Sequence, residues 1–230
     1  MRTLTLLITI AALASCNAPS NKEAALSTFE DSASYAVGTT LGSNLQQDLD
    51  VQKIEGDFNK DLIIAGMADA LKSDSTKLSK EEAEELMNRF FDELNNRKAE
   101  ANKKAGEDFL EKNGAKAGVV TTESGLQYIV LKEGEGDFPT AADQVVVHYS
   151  GKLVSGEIFD SSYERNEPVT FYVRSVIPGW TEALQLMKPG AEYKLFIPSD
   201  LAYGEQGQPR GGIGPNEVLI FDVKLIDIKK

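Results

Sequence analysis

One cysteine and one histidine in 230 residues remove several chemistries before any motif is considered. Cys16 has no second cysteine with which to form a disulfide within the chain. A His/Cys metal cage cannot be assembled from a single residue of each type. A serine-histidine-acid triad would have to use His148, and no Gly-x-Ser-x-Gly elbow occurs. Excess basic charge is also lacking: 24 Lys and Arg stand against 36 Asp and Glu, a formal net charge of −12. Nucleic-acid binding needs a basic footprint, so no nucleic acid is expected as a partner. The glycine-rich residues 204–215 are followed by no Gly-Lys-Ser/Thr and lack a strand-loop-helix setting, which argues against a phosphate loop. No internal repeat is evident, and no metal or cofactor is expected.

Long apolar runs are absent except at the start, where Arg2 precedes the apolar residues 4–13. Residues 1–16 read as a secretory leader, too short to span a membrane as a mature helix. They end in Leu13-Ala14-Ser15-Cys16, which resembles the lipobox of bacterial lipoproteins. That resemblance implies cleavage before Cys16 and a diacylglyceryl thioether on its sulfur; the alternative is a plain exported protein with a chance cysteine. Residues 17–27, small and polar with Pro19, Ser20 and Asn21, read as a flexible tether.

Helical patterning begins at Asp31, with Val37, Leu41, Leu45 and Leu49 at successive i+4 steps beside Gly38 and Gly42. A second helix is expected over 59–72, using Leu62, Ile63, Met67 and Leu71. A third starts at Ser79, an N-cap with Glu81 and Glu82 behind it, and runs to about residue 112. Its second half is polar apart from alanines, Phe109 and Leu110. Such a helix either bridges domains in solvent or needs charge pairs along it. Two short apolar helices do not close a core alone, and a second copy of the chain would supply the missing surface. A monomeric appendage folded back on the rest is the alternative.

From residue 116 the period changes. Val145, Val147 and Tyr149 alternate with Val146, His148 and Ser150, the mark of a strand ended by Gly151. Residues 127–132, 192–197 and 218–228 repeat the pattern, and 171–173 suits a short edge strand. One helix is expected over 179–187, where Trp180, Leu184 and Met187 share a face. The fold class is therefore α+β: an all-α N-terminal part with a long connecting helix, then an antiparallel sheet wrapped on one short helix.

Five segments of this part carry a resemblance. They are residues 145–151, Phe159-Asp160-Ser161-Ser162, Val176-Ile177-Pro178-Gly179-Trp180, Leu201-Ala202-Tyr203-Gly204 and residues 219–223. In this order over about a hundred residues they closely resemble the catalytic domain of the FKBP-type peptidyl-prolyl cis-trans isomerases. Three helices, a long polar helix and residues 121–128 extend the resemblance to the FkpA and Mip subgroup, whose helical domain dimerises. The domains implied are a leader over 1–16, a tether over 17–27, a helical dimerisation domain with connecting helix over 28–115, and an isomerase domain over 116–230.

The resemblance implies an apolar pocket walled by Tyr149, Phe159, Phe171, Val176, Ile177, Tyr203, Ile213 and Phe221, with Trp180 as floor and Asp160 at the rim. Tyr149, Phe159, Asp160 and Tyr203 would carry catalysis; the others would bind substrate, with the Ile177 N–H and the Tyr203 hydroxyl each meeting a substrate carbonyl. Read without the family, each aromatic is also ordinary core, and Asp160 before two serines also suits a turn cap. Val169 departs from the pattern, standing where some members carry an aromatic. The implied activity is X-Pro isomerisation in exported or unfolded proteins, inhibited by macrolides, in a lipid-anchored homodimer of the bacterial cell envelope, at the outer membrane facing the periplasm. A client-holding chaperone with incidental isomerase activity is the second reading, favoured by the extended helical part.

Overall fold

The computed structural model describes residues 25–51, 54–72 and 76–229. The leader, Cys16 and all but the last three residues of the tether lie outside the described residues. By its contacts the chain divides into two compact units, Met1–Lys77 and Leu78–Lys230.

In the first unit, helix α1 (Phe29–Val51) is started by reciprocal bonds between Thr28 and Asp31, each backbone N–H donating to the other's side chain at 3.0 Å. A turn at Glu55–Asp57 buries Ile54 and leads to α2 (Lys60–Lys72), where the Asn59 side chain accepts from the N–H groups of Asp61 and Leu62. Leu49 and Ile54 are buried, yet Val37 and Leu41 of the α1 stripe and Leu62, Ile64 and Leu71 of α2 are exposed. Among the described residues of the single chain, this unit closes no core.

The second unit opens with α3 (Lys80–Gly114), whose capping box joins Ser79 and Glu82 in both directions. At 35 residues it is about 52 Å long. An antiparallel sheet of seven strands follows. Its strands are β1 (Val120–Thr121), β2 (Gln127–Lys132), β3 (Gln144–Leu153), β4 (Ile158–Ser161), β5 (Val169–Tyr172), β6 (Glu192–Ile197) and β7 (Leu219–Lys229). The order is β1-β2-β6-β7-β3-β4, with β5 paired to β3 beyond its contact with β4. Helix α4 (Pro178–Leu184) starts with proline, whose fixed φ suits the first turn. It buries Trp180 and Leu184 against the inner face of the sheet, and Met187 follows them into the core from the turn beyond. Gly179 lets the helix lie directly on Ile197, since any side chain there would collide with it.

Two expectations need correction. Gly151 does not end β3; the strand runs on to Leu153 with alternating burial throughout. Strands β1 and β4, two and four residues long, escaped the periodicity because a period of two cannot declare itself over so few residues.

The polar half of α3 is not solvated all round. Ala99, Asn102, Gly106, Phe109, Leu110 and Asn113 fall at i, i+3, i+7, i+10, i+11 and i+14, one helical face, and each meets the sheet or its loops. Gly106 sits so close to Val218 that an added methyl would lie 2.7 Å from its γ-methyl. The Phe109 and Phe196 rings are 5.9 Å apart. Asn113, fully buried, donates to Gln127 Oε1 at 3.0 Å, and Gln127 Nε2 donates to the Leu110 carbonyl at 2.9 Å. Phe196 and its cross-strand partner Ile220 are buried yet stand outside the main core, as residues on the opposite sheet face should. Among the described residues, no helix is long and apolar enough to cross a membrane.

Removing α3 uncovers Phe196, Val218, Ile220 and the Gln127 amide together. A fragment of residues 116–230 should be less stable than one of residues 78–230 by on the order of 3 kcal/mol, read from urea unfolding; equal midpoints and slopes would show that the docked half of α3 adds nothing.

Candidate active site

The inner face of the sheet sets the site residue by residue. Tyr149 points inward with Val145 and Val147. Cross-strand pairing places Phe171 beside Val145, and Phe221 and Asp160 on either side of Gly151. The β3–β4 register shifts between Gly151 and Lys152, so that Phe159 is an extra residue in β4. Such a bulge turns one side chain out of the alternation. Phe159 thereby reaches the same space as its neighbour Asp160, and its ring lies 5.5 Å from Phe221 at 87°. Gly151 makes this meeting possible: a methyl group there would come 2.6 Å from Phe221 and 2.7 Å from Phe159.

Helix α4 brings Trp180 under these rings. Its indole is edge-to-face with Tyr149 at 5.3 Å, Phe221 at 5.2 Å and Phe171 at 5.9 Å. Among the described residues, Trp180 Nε1 is the buried side-chain donor without a hydrogen-bond partner. Burying an unpaired donor is unfavourable, and the ring faces around it offer only weak compensation. Val176 and Ile177, just before α4, are half-buried against the same core, and Ile213 is buried in it. The Ile177 carbonyl accepts from Trp180 and Thr181. Tyr203 is 38% exposed, and no ring contact and no hydrogen bond to its hydroxyl occurs among the described residues.

The rim is charged. Tyr149 donates its hydroxyl proton to Asp160 Oδ2, and Arg165 bonds both Asp160 Oδ1 and, at 3.0 Å, the Tyr149 oxygen. Burial pushes the Asp160 carboxyl up. The hydrogen bonds from Arg165 and Tyr149 and the guanidinium charge outweigh it, leaving the group below its usual range. Burial, then the bond to Asp160, pushes the Tyr149 hydroxyl up to about 12. Burial and the Asp160 charge raise Tyr203 as well. Near neutral pH the rim therefore holds one carboxylate, one guanidinium and two protonated phenols. The adjoining loop is tied down by Ser162, whose hydroxyl accepts from the Tyr149 N–H at 2.8 Å and bonds His148 Nδ1 at 2.9 Å. His148, on the opposite face, stacks on Tyr163.

The fold thus gathers Tyr149, Phe159, Asp160, Phe171, Trp180 and Phe221 into one contiguous cluster, with Val176, Ile177 and Ile213 packed against the same core. Val169 faces inward opposite Val147. Arg165 was missed by the sequence reading. It lies in a loop five residues after Asp160, turned back by Asn166 in the left-handed region (φ 53°), and no periodicity marks it.

Comparison with known proteins identifies the family of the chain. Residues 135–226 match the family described as FKBP-type peptidyl-prolyl cis-trans isomerase, and residues 30–130 match the domain amino terminal to it. The chain belongs to the FKBP-type peptidyl-prolyl cis-trans isomerases. It is 42% identical to the outer membrane protein MIP of Legionella longbeachae, over 89% of this chain and 88% of that one. It is 40% identical to the FKBP-type isomerase FkpA of Escherichia coli K12, over 91% of this chain and 79% of that one. The crystal structure of Escherichia coli FkpA superposes with a TM-score of 0.70, covering 89% of this chain and 99% of that one. The isomerase accordingly acts on prolyl peptide bonds.

Its pH behaviour follows from the rim. Asp160, with its pKa lowered on folding, lends stability that is complete above its unfolded value of about 3.9 and lost as pH falls through the lower folded one. Tyr149, raised on folding, lends stability that is complete below about 10 and lost as pH rises through about 12. Between these limits no rim group changes charge, so kcat/KM for a prolyl peptide should be flat from about pH 6 to about pH 9. In Arg165→Leu the acid limb should move to higher pH, because Asp160 loses its guanidinium. A bell-shaped parent profile centred near neutrality would contradict this electrostatic assignment.

Proposed function

We propose that the isomerase turns X-Pro bonds by moving the prolyl amide out of water into the ring cluster over Trp180, without a nucleophile or proton transfer. The barrier to rotation is about 20 kcal/mol because twisting breaks C–N resonance. The planar amide is the more dipolar form, so an apolar cavity disfavours it more than the twisted transition state, and only such a difference accelerates a reaction. Pocket shape selects the twisted proline in addition. The observation that carries this reading is the near-perpendicular packing of Tyr149, Phe171 and Phe221 around Trp180 beneath a rim whose one carboxylate is already neutralised by Arg165.

In this reading Tyr149, Phe159, Asp160 and Tyr203 act on the reacting amide, and Phe171, Val176, Ile177, Trp180, Ile213 and Phe221 bind the substrate. The Ile177 N–H and the Tyr203 hydroxyl each donate to a substrate carbonyl, and the Asp160 carboxylate stands beside the twisting bond. The bonds of the Asp160 oxygens to Tyr149 and Arg165 support this role over that of a turn cap, although the Ser161 backbone also bonds the carboxylate.

The clients are exported proteins with X-Pro bonds. A leader ending in a lipobox supports anchorage through lipid on Cys16 in the bacterial envelope, with the outer membrane facing the periplasm as the site. The relative from Legionella longbeachae, whose name places it in the outer membrane, agrees with this. The uncovered apolar stripes of α1 and α2 support a homodimer through the helical part, since contiguous exposed apolar surface marks an interaction site. They also favour a chaperone role, in which two isomerase domains of a dimer hold unfolded clients between them.

In a chain of residues 17–230, exchange of a short X-Pro peptide should be accelerated and a macrolide that fills FKBP-type pockets should abolish the effect. No acceleration would leave only client holding. Expressed in full, the chain should partition into detergent, Cys16→Ser should release it to the aqueous phase, and residues 17–230 should sediment at about twice the chain mass, as a C2 pair does. A detergent-insensitive parent, or a monomer, would remove the corresponding part of the proposal.

A further inference from the structure

The loop after Tyr203 is closed on itself. The Asn216 N–H donates to the Gly204 carbonyl at 2.9 Å, and Gln208 and Ile213 exchange two backbone bonds at 2.8 and 3.1 Å. Gly207 (φ 62°) packs on the backbone of Gly214 so closely that no side chain fits there. The loop is therefore one folded unit, with Tyr203 at its entrance and Ile213, buried in the core, as its inward anchor. Its far end runs along α3. Asn102 Nδ2 donates to the Pro215 carbonyl at 2.8 Å, and Asn216 Nδ2 donates to the Ala99 carbonyl at 3.2 Å. Asn216 is buried and left-handed (φ 55°), a conformation that asparagine tolerates. One turn further along α3, Gly106 receives Val218.

We propose that this clasp makes α3 part of the isomerase site: Asn102 and Asn216 are positioning residues that hold loop 203–216 where Tyr203 and Ile213 meet the substrate. The loop has few other external ties. Beyond the burial of Ile213, the side-chain hydrogen bonds seen from it to the rest of the unit among the described residues are these two amide bonds, which reach across 113 and 117 residues of sequence. An acceptor at Pro215 and a donor at Asn216, adjacent in the loop, fix both the height and the rotation of the loop's base, and a tether at one point would fix only the first. Releasing them lets the loop sample positions in which the pocket is incomplete, and a ligand then binds more weakly in proportion to the lost competent fraction. The argument rests on the substrate contacts proposed above for Tyr203 and Ile213.

The test uses residues 17–230 carrying Asn102→Ala, Asn216→Gly or Asn216→Asp, with Tyr203→Phe and Ile213→Ala beside them. Asn216→Gly keeps the left-handed turn and the bond to Gly204 and deletes only the clasp; Asn216→Asp tolerates the same turn but offers no donor to Ala99. All are assayed well below their melting temperatures. Each Asn variant should raise KM for a prolyl peptide and the Kd of a macrolide together, by about fivefold, with kcat within about twofold. Amide exchange should quicken over 203–216 and not in β3 or β7. A merely structural role would lower Tm and leave KM and Kd where they were. If the Asn variants leave KM and Kd unchanged while Tyr203→Phe or Ile213→Ala raises them, the clasp proposal is overturned and the site assignment stands. If Tyr203→Phe and Ile213→Ala change neither quantity, the loop's place in the site is lost and the clasp proposal with it.

Discussion

The ring cluster depends on one residue of β3 that carries no side chain. Gly151 lies midway between Phe221 of β7 and Asp160 of β4, and the space where its side chain would stand is filled by the Phe159 and Phe221 rings. An ordinary residue at that point would give β3 an unbroken inward row and displace both rings. The extra residue in β4 completes the arrangement, because without it Phe159 and Asp160 would face opposite sides of the sheet. One glycine and one bulge thus bring an apolar ring and a carboxylate to the same few ångströms.

That juxtaposition is stable because the charge is neutralised where it enters the apolar region. An unpaired carboxylate at the edge of a ring cluster would be strongly disfavoured or would take up a proton. Arg165 and the Tyr149 hydroxyl prevent both, while burial and the bond to Asp160 keep the tyrosine protonated far above neutrality. The rim is thereby fixed in one protonation state while the ring cluster below stays apolar. Both properties suit a reaction in which no proton moves and the dielectric environment matters. Among the described residues Trp180 Nε1 is buried without a hydrogen-bond partner, packed edge-to-face against the rings of Tyr149, Phe171 and Phe221.

The long helix uses a different kind of packing. Its docked face is made of Ala99, Gly106, two asparagines and one pair of apolar residues, so backbone and amide groups come close where large side chains would hold them apart. The Asn113–Gln127 pair is buried with its partners in place, and a satisfied buried amide network specifies one register of helix on sheet. Helix register and loop position are set by the same face.

Much of this was legible in the sequence. Period two marked β2, β3, β6 and β7; Ser79 with Glu82 marked the start of α3; Trp180 and Leu184 marked the inward side of α4, which ends at Leu184 and not at Met187 as the spacing suggested. The order of five short motifs pointed to the family and gathered the aromatic residues in advance. Arg165, the Phe159 bulge and the docking of α3 were not legible, for a shared reason. Each depends on residues brought together across a turn or across more than a hundred positions, and none alters the hydrophobic period. A face of alanine, glycine and asparagine reads as solvated because hydropathy records side-chain polarity, whereas burial of such a face depends on which carbonyls stand opposite. The sequence by itself determined which elements form and which side chains they carry inward. Tertiary structure decided which of those side chains share a space, because a register shift of one residue and the closeness of two backbones arise only when the strands and the helix are packed.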